Sequence, residues 1–462
     1  MSPSVRIRMY RQGLGDSFLL TFPRPERDAH VLIDCGVLTG TPDAEARMQR
    51  IARNIVDTTG GLDALVVTHE HWDHISGFLQ AEAIFDELRV KEVWLAWTED
   101  PRDELANDLR NRKTRAVDAL TAVTNELRRL DQPAASRTAD RLAALLEFQG
   151  GLEMLGVQGR KTTAKAMAWV KDREGKGARI RYFKPGATAD ITGVDGLRAY
   201  VLGPPRDLAA LRRSDPSTKH SEVYELSGDG GIDLGFLSAV EALGGGAAAV
   251  QPFAEWFRVG EKDAAGDAFF KQHYSDGPEW QRVDHDWMEA AGRLALQLDS
   301  DTNNTCLALA FELGPNGRVL LFPGDAQVGN WLSWATPEWR AAGGADAPAI
   351  KARDLLARTV LYKVGHHGSH NATLREQGLE LMTSAELAAM IPISRSMAEK
   401  MEWNMPFPSL LRRLKEKTAG RILDRDEGVS ARVPGALSDL QWDDFVRRTD
   451  VKEDWIDYLV PV

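Results

Sequence analysis

The sequence predicts a layered α/β fold. Strand-like and helix-like stretches alternate through the first hundred residues, the alternation returns after residue 300, and three strand-like runs each end in metal-ligand residue types. With 462 residues, 43% of them apolar, the chain can bury a sizeable core. We read it as one domain over residues 1–462 with two insertions, about 101–177 (helical) and about 206–300 (mixed helix and loop).

Residues 5–10 alternate apolar and polar, Gly13-Leu14-Gly15-Asp16 supplies a turn, and apolar residues 17–22 complete a hairpin. A third strand at 30–34 stops at Cys35-Gly36, and residues 43–57 have helical spacing with an acidic first turn. The apolar run 64–67 makes a fourth strand, followed by a helix expected over 75–88 and a strand at 92–97. From 103 to about 167 the composition turns to Ala, Leu and Arg, and Leu120, Val123, Leu127 and Leu130 follow helical spacing. Strand character resumes at 178–183 and 197–202, closed by Gly203-Pro204-Pro205. The second insertion contains the small-residue tract 244–249. Beyond it, residues 305–311 and 318–322 read as a hairpin around Gly314-Pro315-Asn316-Gly317 that ends in Asp325. A strand at 360–364 delivers Gly365-His366-His367-Gly368-Ser369-His370-Asn371, and a helix start is expected at 373–376.

The formal net charge of −11 works against undirected binding to nucleic acid or anionic membranes, so a polyanion would need a local basic patch. One candidate runs from Arg160 and Lys161 through Lys165, Lys171, Arg173, Lys176, Arg179 and Arg181 to Lys184; a solvated helix and loop face is its plainer reading. No stretch approaches 18 uninterrupted apolar residues and the N-terminus has no apolar signal core, which reads as a cytoplasmic protein without a membrane partner. Cys35 and Cys306 stand too far from other thiols and imidazoles to suggest a disulfide framework or a thiolate metal site.

The most informative run is Thr68-His69-Glu70-His71-Trp72-Asp73-His74, directly after the fourth strand. Imidazole and carboxylate suit zinc and neighbouring divalent ions, and an abrupt strand end presents its next side chains together. His69 and His71, two apart on extended chain, can clasp one ion. Asp73 and His74 can face a second, Asp325 can bridge the two, and one of His366 and His367 can complete the second position. Zinc is the favoured ion, with manganese as the alternative.

These residues resemble the metallo-β-lactamase superfamily, whose H-x-H-x-D-H signature His69 to His74 match without a gap. Within it the chain is most similar to the metal-hydrolase domain of ComEC-type competence proteins. Gly13-Leu14-Gly15-Asp16, Ile33-Asp34-Cys35-Gly36, Leu202-Gly203-Pro204-Pro205, Asn303-Asn304-Thr305-Cys306-Leu307, Gly324-Asp325 and Lys363-Val364-Gly365-His366-His367-Gly368-Ser369 follow that domain's motifs in order, with Cys306 the departure. The resemblance implies an αββα sandwich of two mixed sheets flanked by helices, with metals at one sheet edge. It also implies hydrolysis of a phosphodiester, such as one in nucleic acid or a nucleotide, with Asp73 or Asp325 taking the proton of an activated water. It favours His367 as the ligand and leaves His366 near the leaving group. Asp34 is expected to orient a ligand through a hydrogen bond. Asp16 is weighed between a site role and turn chemistry, and Ser369 and His370 between the entrance and a helix cap. The further histidine that such enzymes supply to the first ion has no motif here, which leaves His220, His273 and His285 of the second insertion as candidates, or a single ion. Competing expectations are a hydrolase of a lactone, thioester or β-lactam, and a partner-regulated effector or metal-dependent interaction module that binds protein through its insertions.

Overall fold

In a computed structural model of the protein, residues 3–129, 133–149, 162–213, 259, 261–275, 283–340, 349–401 and 403–462 are described. The N-terminal part supplies β1 (Ser4–Tyr10), β2 (Ser17–Phe22), β3 (Ala29–Cys35), β4 (Leu62–Val66), β5 (Val90–Ala96) and β6 (Arg179–Phe183). Next come β7 (Thr188–Ala189), β8 (Leu197–Val201), β9 (Leu309–Leu313) and β10 (Arg318–Phe322), then a two-stranded ribbon of β11 (Glu338–Arg340) and β12 (Ala349–Lys351). The chain continues through β13 (Thr359–Lys363), β14 (Ala388–Ile391), β15 (Ile422–Asp424) and β16 (Gly428–Val429), and ends with β17 (Thr449–Val451) and β18 (Trp455–Pro461).

Among the described residues two eight-stranded sheets form, ordered β17-β18-β1-β2-β3-β4-β5-β6 and β16-β15-β14-β13-β10-β9-β8-β7. Both are mixed: β1 to β3 pair antiparallel and β3 to β6 parallel, while β7 to β10 pair antiparallel and β10 to β15 parallel. Along the first sheet the pairing changes from antiparallel to parallel at β3, and along the second at β10; in α/β sheets binding sites gather beyond the C-terminal ends of the parallel strands.

Three apolar layers hold the sheets between helices. Phe18, Val31 and Val66 of the first sheet meet Phe311, Phe322 and Leu361 of the second in a dry interface. On the outer face of the first sheet, Leu32, Leu65 and Val93 pack against Met48, Ile51 and Ile55 of the helix Ala44–Thr59, and helix Thr163–Lys171 adds Ala166 and Val170. On the outer face of the second, Val319, Leu321 and Tyr362 meet Leu355, Leu410 and Leu414. This is the αββα sandwich of two mixed sheets that the motifs imply.

Three elements depart from expectation. The helix expected over 75–88 is three one-turn segments, Trp72–Ile75, Gly77–Gln80 and Glu82–Phe85, with Ala81 off helical geometry at φ −124°. Its start is pinned to the loop after β3, where the Ser76 hydroxyl accepts from the Val37 N–H (2.8 Å) and donates to the Val37 carbonyl (3.0 Å). The strand expected from 305 begins at Leu309, because the Leu307 N–H crosses to the Thr68 carbonyl (2.8 Å) and ties the two sheets together beside the His run. No helix starts at 373–376; the Ser369 hydroxyl donates to Asn371 Oδ1 (3.0 Å) instead of capping one.

The helices Glu104–Arg129, Pro133–Phe148 and Val283–Asn303 share an apolar cluster of their own, built from Leu120, Val123, Leu142, Leu146, Leu294 and Leu298. The tract 244–249 lies outside the described residues. No described helix is long and apolar enough to cross a membrane.

Candidate metal centre

The ends of β3, β4, β10 and β13 converge. Each is a buried strand that stops within a few residues of a glycine or a tight turn, so the next side chains project into one space between the sheets. There Asp73, His74, Asp325 and His367, all buried, place one ligand atom each within 4.8 Å of one another.

The spacing is that of ligands around an ion. His74 Nε2 lies 3.1 Å from Asp325 Oδ2 and 3.6 Å from Asp73 Oδ2; His367 Nε2 lies 3.1 Å from Asp73 Oδ2 and 3.7 Å from Asp325 Oδ2. A tetrahedral zinc with ligands at 2.0–2.1 Å requires edges of ~3.3 Å, which these four distances bracket. His69 Nε2, His74 Nε2 and Asp73 Oδ1 are buried without any hydrogen-bond partner. Orphaned buried polar atoms are costly and rare in a native fold, and a cation that replaces the missing partners removes the cost.

The remaining ring nitrogens are committed elsewhere. Asp34, fully buried with φ 55°, takes the Thr68 N–H on Oδ1 (2.7 Å) and the Thr68 hydroxyl on Oδ2 (2.6 Å), and Oδ2 also holds His74 Nδ1 at 2.8 Å. The carboxylate thus fixes the ring so that Nε2 faces the cluster. The Pro392 carbonyl does the same for His367 Nδ1 (2.8 Å), and Thr68 Oγ1 lies 3.1 Å from His69 Nδ1. Of the paired histidines, His367 enters the cluster. His366, less deeply buried, has Nε2 3.9 Å from Asp325 Oδ2 and its Nδ1 near Gln327 (3.4 Å).

Lys363, on the last residue of β13, is the main component that motif reading left without a role. Its buried ammonium bonds Asp16, Asp325 Oδ1 (3.2 Å) and the Gly324 carbonyl (2.9 Å). Asp16 is therefore the buried partner of a lysine and more than a turn residue. The His366 N–H also donates to Asp325 Oδ1 (3.2 Å), so that oxygen is spoken for and Oδ2 is the one presented to the cluster. Cys306 contributes through its sulfur, which accepts the Asp325 N–H (3.2 Å).

The first position is looser. His69 and His71 meet edge to face with centroids 4.6 Å apart, and His69 lies 4.2 Å from the His74 ring, but His69 and His71 do not join the four-residue group. Among the candidate extra histidines, His220 and the side chain of His285 lie outside the described residues, and His273 is exposed with its ring 4.6 Å from Phe269. The insertions instead bring Gln149 Nε2 to 2.8 Å and Asp299 Oδ1 to 3.7 Å from His71 Nε2. Neither residue carries a local sequence signal.

Electrostatics follow from the crowding of carboxylates in a buried space. Burial lowers the pKa of His71 to about 3 and that of His366 to about 4, and pushes His69 well below the ordinary imidazole range. Burial acts the same way on His74, but the carboxylates of Asp325, Asp73 and Asp34 outweigh it and raise that imidazole well above its usual value. For Asp299, burial and then the charges of Asp73 and Asp325 raise the carboxyl to about 7. A cluster that draws protons onto its bases in this way is one that a cation satisfies better.

The backbone under Asp73 rests on two glycines. A Cβ on Gly36 would stand 2.3 Å from the Asp73 carbonyl carbon, and one on Gly15 would stand 2.5 Å from the Asp73 oxygen. Gly36→Ala is accordingly expected to displace Asp73 and cost about 1–3 kcal/mol of stability, read by denaturant unfolding together with zinc titration. Unchanged stability and unchanged zinc affinity would contradict the close packing.

The basic stretch does not form an open track. Lys171 pairs with Glu99 (2.9 Å), Arg173 and Lys176 with Asp86 (3.0 and 2.8 Å), and Arg181 with Glu92 (3.1 Å). Arg160 and Lys161 lie outside the described residues. Ser369 is buried beside Asn371, and the ring of His370 lies 6.0 Å from that of Phe407, both on the turn that follows His367.

No curated protein matches the chain. Residues 10–131, from the end of β1 through the His69–His74 run and the helix Glu104–Arg129, match the family model of the metallo-beta-lactamase superfamily.

Proposed function

We propose that the protein is a metal-dependent hydrolase of phosphodiesters, related to the ComEC-type hydrolase domains. The observation that carries the hydrolase reading is the close approach of buried Asp73, His74, Asp325 and His367 ligand atoms beside the unpartnered nitrogens. These four would hold one ion, and His69 and His71 would help to hold another. Zinc fits the N/O donor set, with manganese as the alternative. Bound divalent ions supply an acidified water and positive charge against the developing oxyanion.

The chain's own groups do the rest. Asp34 and Pro392 lock the two imidazoles of the second position, and Lys363 keeps Asp325 oriented by occupying Oδ1. Asp73 Oδ1, without a partner, is the base that takes the proton of the attacking water, with Asp325 as the alternative acceptor. His366, neutral near pH 7, would offer its ring N–H as a hydrogen bond to a substrate or leaving oxygen. Because the first position has fewer protein ligands than the second, water and substrate would be admitted on the His69 side.

The pairing of the basic stretch favours a small diester over a long polyanion. A carbonyl ester is the second reading, motivated by the aromatic rings of Phe148 and Trp403 (5.5 Å apart) beside His71, which would suit an apolar acyl group. The test is a panel with Zn²⁺ or Mn²⁺: bis-p-nitrophenyl phosphate, cyclic nucleotides, single- and double-stranded nucleic acids, a lactone and nitrocefin. His69→Ala and Asp325→Ala serve as controls. Diester cleavage lost in both variants is expected; lactone or nitrocefin turnover without diester cleavage would overturn the choice of substrate.

Metal uptake should release protons. His74, and also His367 (where nearby carboxylates again outweigh burial), have raised pKa values and hold protons near neutrality until an ion displaces them. Zinc affinity should therefore rise as pH climbs above the ordinary imidazole value of about 6.5. Calorimetry in buffers of different ionisation enthalpy checks this, and identical heats in every buffer would contradict it.

A further inference from the structure

We propose that Gln149 and Asp299, one from each insertion, orient His71 for metal binding, so that the first ion position is completed from outside the sandwich. The proposal rests on the metallo-hydrolase reading above. His69, His74 and His367 follow one rule: Nδ1 lies against a fixed group of the sandwich, Thr68, Asp34 or Pro392, and Nε2 is left to the site. His71 reverses it. Its Nε2 is the nitrogen with protein neighbours, Gln149 at 2.8 Å and Asp299 at 3.7 Å, which leaves Nδ1 as the donor to an ion.

A neutral imidazole carries one N–H, and a carboxylate beside Nε2 keeps it there, so that Nδ1 retains its lone pair. Gln149 Oε1 is buried without a partner. A half-turn of that amide brings the oxygen to His71 Nε2, where it accepts the ring N–H and the orphaned atom is satisfied. Both residues are themselves held. The Thr163 hydroxyl donates to the Gln149 carbonyl (2.9 Å), and the Asn303 amide, one helical turn beyond Asp299, donates to Asp299 Oδ2 (3.1 Å), which turns Oδ1 toward His71. The helices that deliver them share the apolar cluster described above, so the pair is set by one packed unit.

The experiment is a zinc titration of the full-length protein against a chromophoric chelator, for wild type, Gln149→Ala/Asp299→Ala, Gln149→Glu and Asp34→Ala. Wild type should show two classes of site. The double variant should lose about 10–100-fold in one class and keep the other, and Asp34→Ala should weaken the other class. Gln149→Glu, which offers a carboxylate oxygen to the ring N–H, should retain both. Unfolding in chelator shows whether the double variant folds; if it does not, Asp299→Asn and Gln149→Glu carry the comparison, and Asp299→Asn should weaken the same class. Two sites of wild-type affinity in the double variant, or in Asp299→Asn, would overturn the proposal. So would loss of an oxygen ligand in the X-ray absorption of zinc-loaded Asp299→Ala, since Asp299 would then be a ligand itself. Wild type with no zinc bound would instead sink the metallo-hydrolase reading.

Discussion

Lys363→Met is expected to destabilise the metal-free protein by about 3–5 kcal/mol, the usual cost of removing one partner from a buried ion pair. The ammonium is buried between Asp16 and Asp325, and methionine fills the space without answering either charge. The cost should shrink on acidification. Asp16 is already raised by burial, since the attraction of Lys363 only partly offsets it, and without Lys363 it protonates at still higher pH. A carboxyl that is neutral needs no counter-charge, so the deficit present at neutral pH fades as pH falls through that raised value. Urea unfolding with chelator at pH 7.5 and at about pH 5 measures both parts, and a loss below about 1 kcal/mol at neutral pH would mean that water or relaxation screens the carboxylates.

Asp325→Asn should remove hydrolysis, by about 10²–10³-fold or more on the scale of losing one preorganised charged group. It should nevertheless leave the fold intact. The amide still offers an oxygen to Lys363 and to the His366 N–H, and one of several crowded carboxylates is gone. The diagnostic is the thermal shift: added zinc should raise the melting temperature of wild type and not of the variant, because an ion bound only to the native state stabilises it by mass action. An equal shift in both would show that zinc binds elsewhere.

Much of this site was legible in the sequence because its ligands sit directly after short apolar strands, where local pattern locates them. His69 to His74, Asp325 and His367 all have this property, and the structure gathers Asp73, His74, Asp325 and His367 into one cluster, with the His69 ring beside that of His74. The strand-end position of Asp34 was legible too, together with the hydrogen bond it makes. The charge balance was not. Lys363 was visible inside a motif, but its role depends on Asp16 and Asp325, which reach it from two other strand ends. Gln149 and Asp299 were further out of reach, since each is an ordinary helix residue whose meaning appears only when distant helices meet. The helix expected at 75–88 failed for a related reason: periodicity registers which residues are buried, and Phe78 and Phe85 are, but it does not register that Ser76 is tied to the loop after β3.

The shared apolar cluster of Glu104–Arg129, Pro133–Phe148 and Val283–Asn303 sets a limit on how the chain can be shortened. Excising the helices Glu104–Arg129 and Pro133–Phe148 alone, with Thr163–Lys171 kept on the first sheet, would strip the partner surface from Leu294 and Leu298 and expose a greasy stripe to water. Excising 206–300 alone would uncover Leu120 and Leu142 in the same way. Truncations aimed at a minimal catalytic core should accordingly come in pairs, and half-trimmed versions should precipitate where the doubly trimmed one stays dispersed.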